Sequence, residues 1–83
     1  MLTDVYITHH AIERFRERIH HTSEQGARTA ILLSLQHSIS LKPLPIDGYY
    51  ALRCSCPVTP NHRQFRMIIS TRYPGAPQVV TVL

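Results

Sequence analysis

The first half of the chain carries apolar residues at the three- and four-residue spacings that place side chains on one side of a helix. A first helix is predicted over about residues 9–20, with Thr8 as its N-cap. Four apolar residues form the side of this helix that faces a core: Ala11, Ile12, Phe15 and Ile19. The capping-box pattern Thr22-Ser23-Glu24-Gln25 predicts a second helix that opens at Thr22 and runs to about His37.

The second half of the chain has the pattern of β-strands separated by turns. All six prolines follow residue 42, and the segments between them are rich in β-branched and aromatic residues. These segments predict four strands, at about residues 39–44, 49–56, 64–72 and 78–83. Turn-forming pairs separate the strands: Asp47-Gly48, Pro60-Asn61 and Pro74-Gly75. Because the three connections are short, we expect an antiparallel meander.

Length and element order together predict the architecture. A chain of 83 residues is long enough for one hydrophobic core, so we expect a single domain over residues 1–83. The predicted fold is α+β, with two N-terminal helices followed by a four-stranded antiparallel sheet. Residues 4–8 are short and lean apolar, and they are either a brief strand or a lead-in to the first helix.

Alternation along the strands divides their side chains between two faces. Apolar and small residues share one face, which we expect to lie under the helices: Tyr50, Leu52, Cys54, Cys56, Phe65, Met67, Ile69 and Thr71. Cationic, hydroxyl and aromatic side chains collect on the other: Tyr49, Arg53, Ser55, Arg66, Ser70 and Arg72. Guanidinium groups that meet phosphates, beside a ring that stacks on a base, suit a nucleic-acid interface. The alternative is that an uncovered sheet face is polar in any case.

Charge strengthens the first of these interpretations. The nine basic residues outnumber five acidic ones, which gives a net charge of +4, and Lys42 is the only lysine. A bias toward arginine suits planar, bidentate contacts to phosphate, so RNA or DNA is the expected partner and a membrane surface is far less favoured. The chain begins without the pattern of a signal peptide and has no apolar run long enough to span a membrane. We therefore expect a cytosolic protein.

Neither a metal nor another cofactor is expected. Cys54-Ser55-Cys56 with His62 offers two thiolates and an imidazole, but one residue between the cysteines departs from the usual spacing in zinc sites. On a strand both sulfurs point to the apolar face, where cysteine commonly packs as a small hydrophobe. The few, scattered carboxylates also make a two-metal nuclease improbable, so any cleavage of nucleic acid would be of RNA, through its own 2′-hydroxyl.

A histidine and two arginines repeat every four residues along the first helix. His10, Arg14 and Arg18 therefore form one stripe, hereafter the helix stripe. An imidazole in line with two guanidiniums can move a proton beside a bound phosphate. The alternative is a solvated helix face on which Glu13 and Glu17 pair with the arginines.

Three segments resemble known families. The string His10-Ala11-x-x-Arg14-Phe15-x-x-Arg18 resembles the opening helix of a family of small bacterial and phage proteins grouped with the barnase–EndoU–colicin–RelE superfamily of metal-independent ribonucleases. The segment from Arg66 to Arg72 is similar to a strand of BrnT-type toxins, which are RelE-like. Val79-Val80-Thr81-Val82 is similar to the last strand of colicin-D-like members. Together these segments touch about half the chain.

The resemblance implies a RelE-like fold and a toxin-type endoribonuclease. It implies that His10 is the acid/base, that Arg14, Arg18 and Arg66 are its phosphate-side partners, and that Ser70 and Thr81 join from the sheet. It also implies a partner, an acidic antitoxin protein. The chain departs from RelE-type toxins in having one lysine. If the helices cover the apolar face, His10 and Arg66 start on opposite sides of the sheet. They can then meet only at an edge, or if the sheet curls around the first helix.

Two other functions remain open from the sequence. One is a non-catalytic regulatory module of a phage or accessory protein, which binds nucleic acid or an acidic partner through its arginines. The other is a structural or dimerisation protein, a homodimer whose basic face is incidental. The three hypotheses differ in what they require: cleavage needs His10, binding needs the arginines alone, and dimerisation needs neither.

Overall fold

The computed structural model describes residues 5–72 and 75–83, and it contains two helices on one face of a mixed five-stranded sheet. The elements in chain order are β1 (Tyr6–Ile7), α1 (His9–Arg18), α2 (Glu24–Leu35), β2 (Ser38–Pro43), β3 (Tyr49–Ser55), β4 (Gln64–Ser70) and β5 (Gln78–Val82). A single 3₁₀ turn, Pro60–His62, lies between β3 and β4. The α+β class is confirmed. The predicted turn at Pro74-Gly75 falls partly on residues 73–74, outside the described residues.

The two helices begin at hydroxyl caps. The Oγ1 of Thr8 accepts a hydrogen bond from the backbone N–H of Ala11 at 3.1 Å, which confirms Thr8 as the cap of α1. The prediction for α2 is wrong by one residue, because Ser23 rather than Thr22 is the cap. The Oγ of Ser23 accepts from the N–H of Gly26 at 3.0 Å, the three-residue spacing that a cap requires.

The sheet has the strand order β1-β5-β4-β3-β2. The four strands β2 to β5 form the predicted antiparallel meander. The prediction of a purely antiparallel, four-stranded sheet is wrong, because β1 adds a fifth strand that runs parallel to β5. The two residues of β1 pair with Gln78 and Val79, and the backbone N–H of Thr8 continues the pairing to the carbonyl of Val79 at 3.2 Å. The chain thus uses the free edge of β5 just before it enters α1.

The core lies between the helices and one face of the sheet. From the helices it contains Ala11, Ile12, Phe15, Ile19, Ala27, Ala30, Ile31 and Leu35. From β3, β4 and β5 it contains Leu52, Cys54, Phe65, Met67, Ile69, Val79 and Val82. The rings of Phe15 and Phe65 meet edge to face at 5.7 Å, which joins α1 to β4. The predicted division of β3 and β4 into a buried and an open face is therefore confirmed except at Ser70, which is fully buried although its position in β4 assigns it to the open face.

The helices do not cover the sheet evenly. α1 packs mainly on β5, and α2 packs against α1 and reaches β3. All six residues of β2 are exposed. Among the described residues, no helix is both long and apolar enough to cross a membrane.

Candidate nucleic-acid interface

Two arginines lie side by side on the sheet surface that faces away from the helices, hereafter the open face. Arg53 of β3 and Arg66 of β4 are direct cross-strand partners, and both are exposed. Their neighbours Leu52, Cys54 and Met67 are buried on the helix side, so alternation directs both guanidinium groups to the open face. Each of these arginines therefore presents its charge on the same small area of surface.

No acidic side chain balances this pair in the described part of the chain. The ion pairs of residues 5–72 and 75–83 all lie in the helical layer, among His9, Glu13, Arg16 and Glu24. Like charges directly opposite one another across two strands destabilise a sheet. An anion that binds between Arg53 and Arg66 would remove this repulsion.

A shallow depression accompanies the arginine pair. Its volume is about 340 Å³, and it is lined by Arg53, Gln64, Phe65 and Arg66. Gln64 supplies an amide that both donates and accepts hydrogen bonds, and the two guanidiniums supply planar donors. Donors of this kind around an open depression suit a phosphate or a base edge.

The other residues predicted for nucleic-acid binding differ in how accessible they are. Arg72 is exposed, and Tyr49 is half-buried on the open face. Thr81 is half-buried opposite Ile68. Ser70 is fully buried, and its hydroxyl accepts a hydrogen bond from the N–H of Arg72 at 3.3 Å. The hydroxyl of Ser70 is thus not on the surface.

Two further residues lie on the open face, although the alternation pattern of β3 and β4 does not include them. Tyr6 of β1 is 58% exposed and is paired with Gln78, which lies in one row with Ser70 and Tyr49 across β5, β4 and β3. Lys42 of β2 is exposed opposite Ala51, beside the arginine row. Lys42 could have been found by extending the alternation to β2, whereas Tyr6 required knowing that β1 joins the sheet.

The helix stripe lies in the other layer of the molecule. His10 and Arg18 are exposed on α1 and Arg14 is half-buried. The structure brings these three residues to one helix face, but it does not bring Arg66 to them, because the sheet separates α1 from the open face.

The expected pairing of the stripe with glutamates takes a different form. Glu13 accepts from Nη1 of Arg16 at 3.0 Å, and Nε of Arg16 donates to the carbonyl of Thr22 at 2.7 Å. Within the described residues, neither Arg14 nor Arg18 forms an ion pair. The stripe therefore keeps its positive charge unneutralised by neighbouring side chains.

The cysteines lie in the core. Cys54 and Cys56 are fully buried, whereas His62 is exposed in the 3₁₀ turn. Burial, together with the neighbouring Cys56 thiol, raises the pKa of Cys54 to about 12. Cys54 is therefore a neutral thiol at physiological pH.

A different group of side chains is close enough to share a cation. His9, Glu13 and Glu24 bring one ligand atom each to within 4.8 Å of one another, at the place where the starts of α1 and α2 meet. All three side chains are largely or partly exposed, and the same oxygen of Glu13 already accepts from Arg16. These contacts account for the group: Glu13 pairs with Arg16, and the imidazole of His9 lies 4.0 Å from Glu13 and 3.9 Å from Glu24 of the second helix.

Comparison of the chain with models of protein families, with curated proteins and with solved structures finds no match. The similarity of its motifs to RelE-like and BrnT-like proteins therefore stays a prediction.

Proposed function

We propose that the protein binds single-stranded RNA through the open face of its sheet. The observation that carries the proposal is the exposed cross-strand pair of Arg53 and Arg66, which has no acidic partner among the described residues. Phosphate contacts by arginine supply much of the affinity of proteins for nucleic acid.

The shape and composition of the face favour an unpaired strand. Tyr49 and the exposed Tyr6 lie in one row of the sheet, where their rings can stack on bases that are not already stacked in a duplex. Lys42, in the row of Ala51 and Ile68, and Arg72, just past the end of β4, extend the positive charge from the arginine pair towards the end of the sheet where Tyr49 lies. The four described acidic residues lie elsewhere, with Glu13, Glu17 and Glu24 on the helices and Asp47 in a turn.

Fluorescence anisotropy with a labelled single-stranded RNA, measured over a series of salt concentrations, tests the proposal. The double variant Arg53→Gln/Arg66→Gln should bind more weakly, and its slope of log K against log salt should fall by about 0.7 per lost phosphate contact. Arg28→Gln is the matched control, because Arg28 is exposed on α2 in the helical layer. Unchanged RNA affinity of the double variant, or an equal loss in Arg28→Gln, contradicts the proposal.

The same assay with other probes identifies the nucleic acid. A single-stranded DNA and an RNA duplex of the same sequence should both bind more weakly than the single-stranded RNA. Single-stranded RNA alone among the three offers both unpaired bases and 2′-hydroxyls. Tighter binding to either competitor would assign the open face to that partner instead.

Metal-independent cleavage of RNA is a second hypothesis, which is supported by the helix stripe in the other layer of the molecule and not by the open face. His10 is exposed beside Arg14 and Arg18, and neither arginine is engaged by a glutamate in the described residues. In this mechanism His10 would take the proton of the 2′-hydroxyl, and the 2′-oxygen would attack the adjacent phosphorus. The bond from phosphorus to the 5′-oxygen would break, the 5′-oxygen would take a proton from water, and a cyclic phosphate would remain. Arg14 and Arg18 would stabilise the charge that develops on the phosphate oxygens.

Incubation with total RNA in EDTA separates cleavage from binding alone. Cyclic-phosphate ends should form with the wild type and be lost by about 10²–10⁴-fold in His10→Ala, the usual effect of removing a general acid/base. His21→Ala is the control, since His21 is exposed in the connection between the helices. RNA binding without cleavage would assign the protein to the non-catalytic module.

A further inference from the structure

The edge strand β2 offers unpaired backbone groups to solvent. Among the described residues it is the last strand of the sheet and pairs with β3 alone, and all six of its residues are exposed. An edge of this kind is a template on which another extended segment can add as a strand.

An apolar groove lies beside this edge on the helix side of the sheet. Its volume is about 500 Å³, and its apolar lining includes Ile39, Leu41, Tyr50, Leu52, Ile69 and Pro77. It exists because α1 packs over β5 and α2 reaches only as far as β3. Ile39 is 52% exposed and Leu41 is 60% exposed, so two large aliphatic side chains of one edge strand remain uncovered. Adjacent apolar surface of this kind is typical of an interaction site.

The opposite side of the same edge is cationic. Lys42 of β2 points to the open face, and Arg53 of β3 lies directly across from Ser40. No residue of β2 or β3 is acidic. A strand added to β2 would alternate its side chains between the groove and this cationic side.

We propose that β2 is the docking edge for an extended segment of a partner protein in which apolar residues alternate with Asp or Glu. The apolar side chains would cover Ile39 and Leu41, and the carboxylates would lie beside Lys42 and Arg53. The β2 edge borders the proposed RNA surface and shares Lys42 and Arg53 with it, but docking of a strand at this edge does not require RNA binding.

Charge argues against a second copy of the chain as the occupant. Pairing of two β2 strands would bring a second Lys42 and a second Arg53 to the same side of the sheet, and like charges at close range destabilise strand pairing. The regular part of the edge is also short, because the register shifts between Ser38 and Ser40 and Pro43 has no N–H to donate. A partner segment of a few residues fits such an edge.

Titration of isotope-labelled protein with three short peptides, followed by NMR, tests the inference. In the first peptide Val alternates with Glu, in the second Val alternates with Lys, and in the third Ser alternates with Glu. The Val/Glu peptide should shift the backbone amides of residues 39–42 and bind at least about tenfold more tightly than either other peptide. Equal binding of the Ser/Glu peptide, or shifts confined to Arg53 and Arg66, would overturn the inference, because simple attraction to the basic face would then explain the result.

One substitution and one matched control locate the site. Leu41→Asp should weaken binding of the Val/Glu peptide by about tenfold or more, since it removes an apolar contact and adds a negative charge beside the negatively charged peptide. Val58→Asp is the control, because Val58 is 45% exposed in the turn after β3. Circular dichroism and thermal unfolding establish that both variants fold. Equal effects of the two substitutions would overturn the inference.

A charge reversal at Lys42 should change the affinities for the two Val-containing peptides in opposite directions. Lys42→Glu should weaken binding of the Val/Glu peptide and strengthen binding of the Val/Lys peptide, because only the sign of the charge beside the added strand has changed. Sedimentation velocity tests whether a second copy of the chain, instead of a partner segment, occupies the edge. A concentration-dependent dimer that Leu41→Asp abolishes would assign the edge to a second copy and overturn the proposal of an acidic partner segment.

Discussion

Gly48 connects the turn after β2 to the position of Arg72. Its φ is +82°, in the left-handed region of backbone conformation, which costs residues other than glycine about 1–2 kcal/mol. A Cβ atom added there would lie 2.5 Å from Cγ of Arg72, so the arginine side chain would also have to move. The carbonyl of Gly48 accepts from the backbone N–H of Thr71 at 2.8 Å, which keeps the end of β4 next to this turn.

Gly48→Ala should therefore lower both stability and RNA affinity. The free energy of unfolding, measured in urea, should fall by more than in Gly75→Ala. Gly75 also has a positive φ, +99°, but an added Cβ meets nothing within 4 Å. The difference between the two variants isolates the contact with Arg72. Equal losses of stability and an unchanged affinity for RNA would show that Arg72 has no fixed position at Gly48.

Cys54 makes the stability of the protein depend on pH in the alkaline range. Its pKa is raised from 9.0 to about 12, first by burial and second by the neighbouring Cys56 thiol. The unfolded state loses this proton near pH 9, whereas the folded state holds it to about pH 12. The stability that Cys54 contributes is thus complete below about pH 9 and is lost as the pH rises toward 12.

Two measurements check this behaviour. The difference in unfolding free energy between wild type and Cys54→Ala should decrease between pH 9 and 12. A thiol reagent at neutral pH should modify Cys54 only as fast as the protein opens, with the urea-unfolded chain as the control. Rapid modification of Cys54 in the folded protein would contradict both its burial and its raised pKa.

At the scale of elements, one hydroxyl ties α1 to the sheet. The Oγ1 of Thr8 caps α1 and is also within hydrogen-bond distance of the carbonyls of Val79 and Val80, at 3.1 and 2.9 Å. Val80 lies where the register of β5 shifts against β4. Because a β-bulge leaves backbone groups without ladder partners, a side-chain donor at this place stabilises the irregular strand.

Thr8→Ala should lower the free energy of unfolding by about 2 kcal/mol, at the upper end for a lost cap, because a carbonyl in β5 loses its donor too. Thr8→Ser should restore most of this loss, since its hydroxyl can make the same bonds. Urea unfolding of the three proteins provides the comparison. A loss in Thr8→Ser equal to that in Thr8→Ala would mean that the methyl group, rather than the hydroxyl, stabilises the junction.

The elements that could be predicted from the sequence are those with a repeated pattern. The apolar spacing of α1 and α2 and the alternation of β3 and β4 each extend over several residues, so single exceptions do not hide them. β1 has two residues and no period, and its pairing depends on a strand more than 70 positions away. Thr22 and Ser23 are both good caps, and only the backbone geometry selects Ser23.

The same reasoning explains which part of the candidate site the sequence could predict. Arg53 and Arg66 were assigned to one face because alternation fixes the direction of a strand side chain. Alternation says nothing about solvent access, so the complete burial of Ser70 under its neighbours was not foreseen. The relation of His10 to Arg66 depends on which face the helices cover, and this is a property of the tertiary structure.

At the scale of the whole molecule, the described charges are distributed unevenly between the two layers. Three of the four described acidic residues are on the helices, where Glu13 pairs with Arg16 and Glu24 lies 3.9 Å from His9. In the part of the chain that the structure describes, the charged side chains of the sheet surface are all basic, and Lys42 and Arg53 belong to both the proposed RNA surface and the β2 edge. The two proposed surfaces therefore share positive charge, including that of Arg53.

Sharing of Arg53 predicts that RNA and an acidic strand weaken each other's binding. Saturating Val/Glu peptide should lower the affinity for single-stranded RNA, and RNA should lower the affinity for the peptide by the same factor, as thermodynamic linkage requires. Part of this coupling is electrostatic and should shrink as salt is raised. Anisotropy of labelled RNA with and without the peptide measures this coupling. The control is Leu41→Asp, which retains Arg53 but is expected to lose peptide binding. If RNA affinity stays constant while NMR shows the peptide bound at residues 39–42, the two surfaces are independent and Arg53 serves only one of them.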